Sequence, residues 1–129
     1  MILLFNHTLT NVQKEDATYR LNVKEFIALP KELQDTWSNI PTDVESLFTL
    51  LCPIREFVKK EAKRGDYILI QGDFGATYAM VEFSKSLGLI PIYATTKREV
   101  IEILDGDKIV KKSIFRHERF REYEKFNAK

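Results

Sequence analysis

Short apolar runs alternate with segments of helical spacing along this chain. The run Ile2–Phe5 is continuously apolar and predicts a strand that is buried on both faces. Residues 25–29, 67–70 and 90–94 predict three further strands. Because these strands are separated by helical segments, the pattern predicts βαβ units and a parallel sheet.

Helices are predicted between the strands. Residues 10–19 form one, with Thr10 as N-cap and Gln13 three residues later, the spacing of a capping box. A short helix is expected over residues 31–37. Residues 77–87 predict another, which Gly88 ends.

The segment between Pro41 and Gly65 has apolar residues at helical spacing and a basic final turn. It predicts a helix that kinks or restarts at Pro53, because proline removes a helical hydrogen bond.

The C-terminal part predicts a β-hairpin and a tail. Residues 99–104 and 108–115 flank Asp105-Gly106, a dipeptide typical of hairpin turns. Residues 116–126 are expected to form a helical turn or an extension. The predicted class is α/β: a small Rossmann-like parallel sheet with helices on both faces and a C-terminal hairpin, in one domain over residues 1–129.

Composition narrows the classes of partner. The net charge is +1 for 129 residues, so any anion site is local rather than a property of the whole surface, and a long nucleic acid is not expected. Cys52 is the single cysteine, which excludes an internal disulfide, fits a reducing cytoplasm and is expected to be buried. The N-terminal apolar run is too short for a signal peptide or a membrane span. No spacing typical of metal ligands occurs, and no metal or cofactor is expected.

Polar residues follow three of the predicted strands. Ligands of open parallel sheets bind beyond the carboxyl ends of the strands, so these segments are expected to meet at one rim. They are Asn6-His7-Thr8, Gln71-Gly72-Asp73 and Thr95-Thr96-Lys97-Arg98.

The segment QGDFGAT places two glycines before a helix N-terminus, where free N–H groups favour an anion. It lacks the lysine of a P-loop and the third glycine of the dinucleotide fingerprint. An ordinary tight turn with Asp73 as N-cap is the alternative. Asp73 suits a ribose hydroxyl or an adenine amino group better than a phosphate.

Three further features carry candidate chemistry. The hydroxyls and cations of TTKR would hold phosphate oxygens, the alternative being a solvated loop. His7 can exchange protons near neutrality, the alternative being a structural histidine. The segment FRHERFREY mixes arginines with aromatics that could clamp phosphates and stack bases, the alternative being a basic surface element docked on the core.

Five ordered blocks of sequence resemble the small Csx-twenty-type CRISPR-associated proteins. The blocks are LFNHTLT near the start, LP…LQ…W…IP over residues 29–41, GDYILIQGDFGATY over 65–78, GLIPIYATTKR over 88–98 and FRHERFREY over 115–123. The similarity spans nearly the whole chain.

The resemblance implies a ring nuclease that accompanies type III CRISPR systems. Such proteins degrade a cyclic oligoadenylate second messenger, here expected to be cyclic tetra-adenylate, and so switch off the effectors that it activates. A minimal version of the CRISPR-associated Rossmann sensor domain and a homodimer with the ligand across its two-fold axis are implied. Related enzymes need no metal and use the ribose 2′-OH as the nucleophile, leaving a 2′,3′-cyclic phosphate.

Roles follow from the chemistry of that reaction rather than from the family. Lys97 or Arg98 would stabilise charge on the scissile phosphate, and His7 would protonate the departing 5′-oxygen or orient the 2′-OH. Ribose or adenine would be held by Asn6, Gln71, Asp73, Thr95 and Thr96. The remaining substrate-binding candidates are Thr10, the helix start Gly72, Phe74, Gly75, Ala76 and Thr77, and the closing group Arg116, His117 and Arg119.

Two other classes of function use the same residues. A binding module would sequester the cyclic nucleotide or sense it without cutting it. An interaction protein would use the rim to dock a partner and would bind no nucleotide.

Overall fold

The computed structural model describes residues Met1–Ala128 as five strands and four helices. The α/β class is confirmed, while Lys129, which the predicted domain includes, lies outside the described residues. In chain order the elements are β1 (Ile2–Phe5), α1 (Asn11–Leu21), β2 (Ile27–Ala28), α2 (Lys31–Ser38), α3 (Cys52–Glu61), β3 (Tyr67–Gln71), α4 (Phe74–Ser86), β4 (Ile90–Asp105) and β5 (Lys108–Glu122).

The strands form one sheet in the order β2-β1-β3-β4-β5. The first four run parallel, as predicted, and β5 is antiparallel to β4. The sheet is therefore mixed. Phe5 and Gln71 are register partners at the carboxyl ends of β1 and β3, so the segments that follow these strands emerge side by side.

Helices cover both faces of the sheet because the apolar side chains of β1 and β3 alternate between two cores. Leu4 and Ile70 pack with residues of α2, α3 and α4, and we call this side the α4 face. Phe5 and Leu69 pack with α1 and with Phe120 of β5, and we call that side the α1 face. In residues 1–128 no helix is both long and apolar enough to cross a membrane.

The predicted helix after Pro41 is wrong in its first half. Residues 41–51 form bends and turns, and α3 begins at Cys52. Pro53 lies in the first turn of α3, where its missing N–H costs no helical hydrogen bond, so it starts the helix rather than kinking it. Cys52 is exposed, contrary to the prediction that it is buried.

The predicted end of the fourth strand at Ala94 is also wrong. β4 continues past Ala94 to Asp105, and β5 extends to Glu122, so the tail contains no helical turn up to that residue. The hairpin turn is as predicted, with Gly106 at φ 66°.

Beyond the parallel sheet, residues 95–105 and 108–119 form a two-stranded antiparallel ribbon. At about 3.3 Å per residue its β4 strand is about 35 Å long. A bulge interrupts the register between Thr95, which pairs with Arg119, and Thr96, which pairs with His117. The sequence predicted the hairpin over residues 99–115 but not its continuation through residues 95–98 and 116–122, which joins it to the parallel sheet without a break.

Candidate functional site

A small cleft opens where β1 and β3 end. It has a volume of about 190 Å³ and is lined by Phe5, Asn6, His7, Gln71 and Gly72. The structure therefore brings two of the three predicted rim segments together. The His7 ring packs edge-on against Phe5, with ring centroids 5.5 Å apart.

A larger cleft of about 610 Å³ lies on the other side of Asn6 and His7, towards β2. Lys14 of α1 and Lys31 of α2 line it, and no acidic residue does. Its apolar wall is formed by Leu3, Phe5, Leu9, Phe26, Ala28 and Leu29, and its other polar residues are Thr8, Gln34 and Ser38.

Two cations without a carboxylate beside an apolar wall suit a ligand that has both an anionic group and a planar apolar ring. Sequence reasoning missed Lys14 and Lys31. The signal for Lys31 was its position three residues after the end of β2, at the same carboxyl edge as Asn6 and His7. For Lys14 the signal was the predicted start of α1 at Thr10, one helical turn earlier.

A third cleft of about 310 Å³ lies on the α4 face. It is lined by Gln71, Gly72, Phe74, Thr77, Tyr93 and Tyr123. Phe74 is 95% exposed at the start of α4, which leaves its ring free to stack on a planar ligand.

Two tyrosines form the other wall of this third cleft. The rings of Tyr93 and Tyr123 have their centroids 4.7 Å apart, and the Tyr123 hydroxyl donates to the carbonyl oxygen of Ile70 at 2.6 Å. Burial, and then the neighbouring Tyr93, raise the pKa of Tyr123 above its usual value of 10.0. The hydroxyl is therefore a neutral donor at physiological pH.

Gly72 lines both the small cleft and the third cleft, and the position leaves no room for a side chain. A Cβ at this position would lie 2.9 Å from the ring of Trp37. The Trp37 Nε1 donates to the carbonyl oxygen of Gln71 at 3.0 Å. The Gln71 Oε1 in turn accepts from the amide of Ala94 at 2.7 Å, so this side chain joins the end of β3 to β4.

The start of α4 is the capped turn that was the alternative to a phosphate loop. Asp73 is the N-cap, and its carboxylate accepts from the amide of Ala76 at 3.0 Å. Gly75 and Ala76 lie in the first turn of the helix. One helical N–H is therefore already occupied, and a negative charge lies where a phosphate would approach.

The segment Thr95-Thr96-Lys97-Arg98 is not a loop but part of β4. Because strand side chains alternate, Thr95 and Lys97 lie on the α4 face with Tyr93, while Thr96 and Arg98 lie on the α1 face. Lys97 is about 10 Å beyond Ala94 along the strand.

Two of these four side chains are already engaged. The Thr95 Oγ1 donates to the carbonyl oxygen of Arg119 at 3.0 Å and accepts from its amide at 3.2 Å, which holds the bulge. The Arg98 guanidinium donates to the Ser113 Oγ at 3.0 and 3.2 Å.

The remaining predicted residues are dispersed. The His117 Nε2 lies 2.7 Å from the Asp16 carboxylate on the α1 face, with the His117 side chain 5% exposed. Arg116 forms an exposed ion pair with Glu99 at 3.0 Å. Thr10 is the N-cap of α1, within the predicted capping box with Gln13.

A basic and aromatic strip continues from the third cleft onto the ribbon. The Arg121 guanidinium lies 5.7 Å from the Tyr93 ring centroid and donates to its hydroxyl at 3.3 Å. By register Arg119, Lys97 and Arg116 follow on the same face. Within residues 1–128 no group of three or more His, Cys, Asp or Glu side chains is arranged to hold a metal ion.

The fold and the site together define a small α/β protein with basic and aromatic clefts at the carboxyl edge of a mixed sheet. Residues 1–121 match the model of the "Uncharacterized protein MJ1673 family", and the chain belongs to that family. It is 56% identical over 123 residues, 95% of each chain, to "Uncharacterized protein MJ1673" of Methanocaldococcus jannaschii. No solved structure matches the chain. Neither description names an activity.

Proposed function

We propose that this protein is a ring nuclease that cleaves a cyclic oligoadenylate, cyclic tetra-adenylate in the first instance, in the cytoplasm. The proposal starts from the resemblance to Csx-twenty-type proteins of type III CRISPR systems. The observation that supports it is the position of His7 and Asn6, which line both the small central cleft and the large basic cleft. His7 therefore lies between the cationic cleft and the small central cleft, which shares Gln71 and Gly72 with the aromatic third cleft.

The clefts offer a subsite for each part of an adenylate chain. Lys14 and Lys31 would hold a phosphate, and the apolar wall around Phe26 would accept an adenine. Across the small cleft, Phe74 would stack on a second adenine. Lys97, on the same face as Phe74, would approach the ligand from the ribbon.

The reaction needs positioning more than it needs a strong base. The ribose 2′-oxygen attacks the neighbouring phosphorus, an O2′–P bond forms and the P–O5′ bond breaks, which leaves a 2′,3′-cyclic phosphate and a 5′-hydroxyl. The 2′-hydroxyl releases one proton to solvent water, and the 5′-oxygen takes one up. Protonated His7 would supply that second proton, and the lysines would stabilise the charge on the phosphate oxygens.

The direct test follows excess cyclic tetra-adenylate by mass spectrometry in the presence of EDTA. We expect multiple turnovers to linear products that end in a 2′,3′-cyclic phosphate. His7→Ala is expected to slow single-turnover cleavage by roughly 100-fold, the usual contribution of general acid catalysis. Lys24→Ala, an exposed lysine outside the clefts that hold His7, is the matched control.

Calorimetry separates the three classes of function. Tight binding of the cyclic nucleotide without turnover would leave the alternative of a sequestering or sensing protein. No binding of any cyclic oligoadenylate would overturn the nucleotide site and favour an interaction protein.

A further inference from the structure

The ribbon presents a row of apolar side chains to solvent. Four of them are more than half exposed: Val100 57%, Leu104 77%, Ile109 63% and Phe115 66%. An isolated two-stranded ribbon is at best marginally stable in water, so a ribbon of this length needs a surface against which to pack.

All four side chains lie on one side of the ribbon. The register pairs Leu104 with Ile109 near the turn, and places Phe115 opposite Arg98 and Val100 opposite Ser113. Strand alternation puts these positions on the α1 face of the ribbon, together with Thr96 and His117. The four most exposed apolar side chains of the ribbon thus form one strip, while the less exposed Ile103 (42%) and Val110 (45%) are register partners on the opposite face.

The size of the strip fits a protein interface. The four side chains expose roughly 500 Å² of apolar surface, taking about 150–250 Å² for each large side chain when free. A standard interface buries about 800 Å² on each partner, of which about 60% is apolar. The strip therefore supplies the apolar share of one such interface, and it is as large as the largest apolar patch of a typical monomer, about 300–600 Å², which is often functional.

The charges of the strip favour a second copy of the same chain. Glu102 and Lys111 are register partners on this face, between the apolar pair at the turn and the apolar residues nearer the sheet. In a two-fold interface the same patch meets itself. A contact from one residue of the first copy to a different residue of the second is therefore repeated with the two copies exchanged. An acid and a base side by side are complementary to their own two-fold image.

We propose that two copies of this chain associate through the α1 face of their ribbons, with Glu102 of each copy facing Lys111 of the other. The four apolar side chains close the interface on both sides of these ion pairs. The interface contains no residue that lines the clefts around His7, so it differs from the dimer with a ligand across its two-fold axis that the resemblance implies, and it can be tested without nucleotide.

Sedimentation of the full chain without nucleotide tests the proposal. We expect the wild type, of 15.1 kDa per chain, to be a dimer at micromolar concentration. Glu102→Lys alone and Lys111→Glu alone are each expected to raise the dimer Kd at least 10-fold, because like charges then face each other across the axis. An equimolar mixture of the two variants is expected to restore the dimer.

The mixture is decisive because it cannot repair charge pairing within a chain. Each variant keeps two like charges on its own ribbon, and only contacts between the two chains become complementary. Lys112→Glu, a charge reversal on the opposite face of the ribbon, is the control and is expected to leave Kd unchanged.

Leu104→Ser provides a second probe that does not alter charge. This side chain is highly exposed and next to the turn, so its truncation leaves both cores intact. We expect at least a 10-fold increase in the dimer Kd with an unchanged circular dichroism spectrum. A monomeric wild type, a dimer insensitive to these variants, or a mixture that stays monomeric would each overturn the proposal.

Discussion

The Nε2 atom of His117 lies 2.7 Å from the carboxylate of Asp16, joining β5 to α1 between residues 101 positions apart. The two side chains are 5% and 10% exposed, and the His117 ring packs on Phe120 with centroids 4.8 Å apart. Since β5 is the edge strand, this contact holds the base of the ribbon on the α1 face. It places His117 in a structural role, away from the clefts.

Loss of this contact is expected to destabilise the fold. His117→Ala removes the buried one of the two partners of the Asp16 carboxylate and opens space beside Phe120, so the free energy of unfolding should fall by about 2–4 kcal/mol. Denaturant titration measures this change. Arg20→Ala is the control because Arg20 pairs with the same carboxylate from an exposed position and should change stability by less than about 1 kcal/mol. Equal effects of the two substitutions would contradict the structural role of His117.

A second prediction concerns the two glycines of QGDFGAT. Gly72→Ala places a methyl group 2.9 Å from the Trp37 ring, so we expect a loss of about 1–3 kcal/mol in thermal or denaturant unfolding. Gly75→Ala, within α4, is the matched control. Its added methyl group would lie 3.5 Å from the Leu47 side chain, which is an ordinary van der Waals contact. Alanine there should be neutral or stabilising by up to about 1 kcal/mol. A destabilising Gly75→Ala together with a neutral Gly72→Ala would contradict the close contact between Gly72 and the Trp37 ring.

Local patterns sufficed for much of the fold. The continuous apolar run of β1, the Thr10 and Gln13 capping box and the Asp105-Gly106 turn each depend on a few neighbouring residues, and each is present in the structure. The first and third strand ends converge because parallel topology alone brings them to one edge.

Tertiary packing decided what local patterns did not. Lys97 and Arg98 followed an apparent strand end, but pairing with β5 extends β4 through both and sends their side chains to opposite faces. No local signal joins Asp16 to His117, and Lys31 enters the large cleft only because β2 lies beside β1. Helical spacing in residues 41–51 was misleading because two of its large apolar residues, Val44 and Phe48, are exposed.

The titration of Tyr123 gives a prediction about stability at high pH. Its pKa is raised in the folded protein, so the folded state favours the protonated hydroxyl. This contribution is fully present below the unfolded value of 10.0 and is lost as pH rises through the folded-state pKa. The free energy of unfolding of the wild type, minus that of Tyr123→Phe, should therefore be constant from pH 7 to about 9 and should decline above pH 10.

At neutral pH Tyr123→Phe should cost about 1 kcal/mol through loss of the hydrogen bond to Ile70. Tyr19→Phe is the control, since Tyr19 is exposed and should show neither effect. If the difference in the free energy of unfolding between the wild type and Tyr123→Phe does not change with pH, the buried environment of the Tyr123 hydroxyl is contradicted.

The large cleft should contribute charge to ligand binding. Lys14→Ala and Lys31→Ala are each expected to weaken the affinity for cyclic tetra-adenylate by about 10-fold and to reduce its dependence on salt concentration. Calorimetry at two ionic strengths measures both effects, with Lys60→Ala on α3 as the control. Wild-type affinity in both cleft variants would remove this cleft from the proposed site.

The adjacent residues Lys97 and Arg98 offer a test of which ribbon face meets the ligand. Lys97 lies on the α4 face in line with Tyr93 and the third cleft, whereas Arg98 lies on the α1 face and is bonded to Ser113. We therefore expect Lys97→Ala to lower single-turnover cleavage by roughly 10–100-fold, since it removes a cation that stabilises phosphate charge. Arg98→Ala should leave the cleavage rate within about twofold of the wild type, because alternate side chains point away from each other. A loss of cleavage in Arg98→Ala but not in Lys97→Ala would place the ligand on the α1 face. An equal loss in both variants would show that the ribbon contributes through its fold rather than through a cation directed at the phosphate.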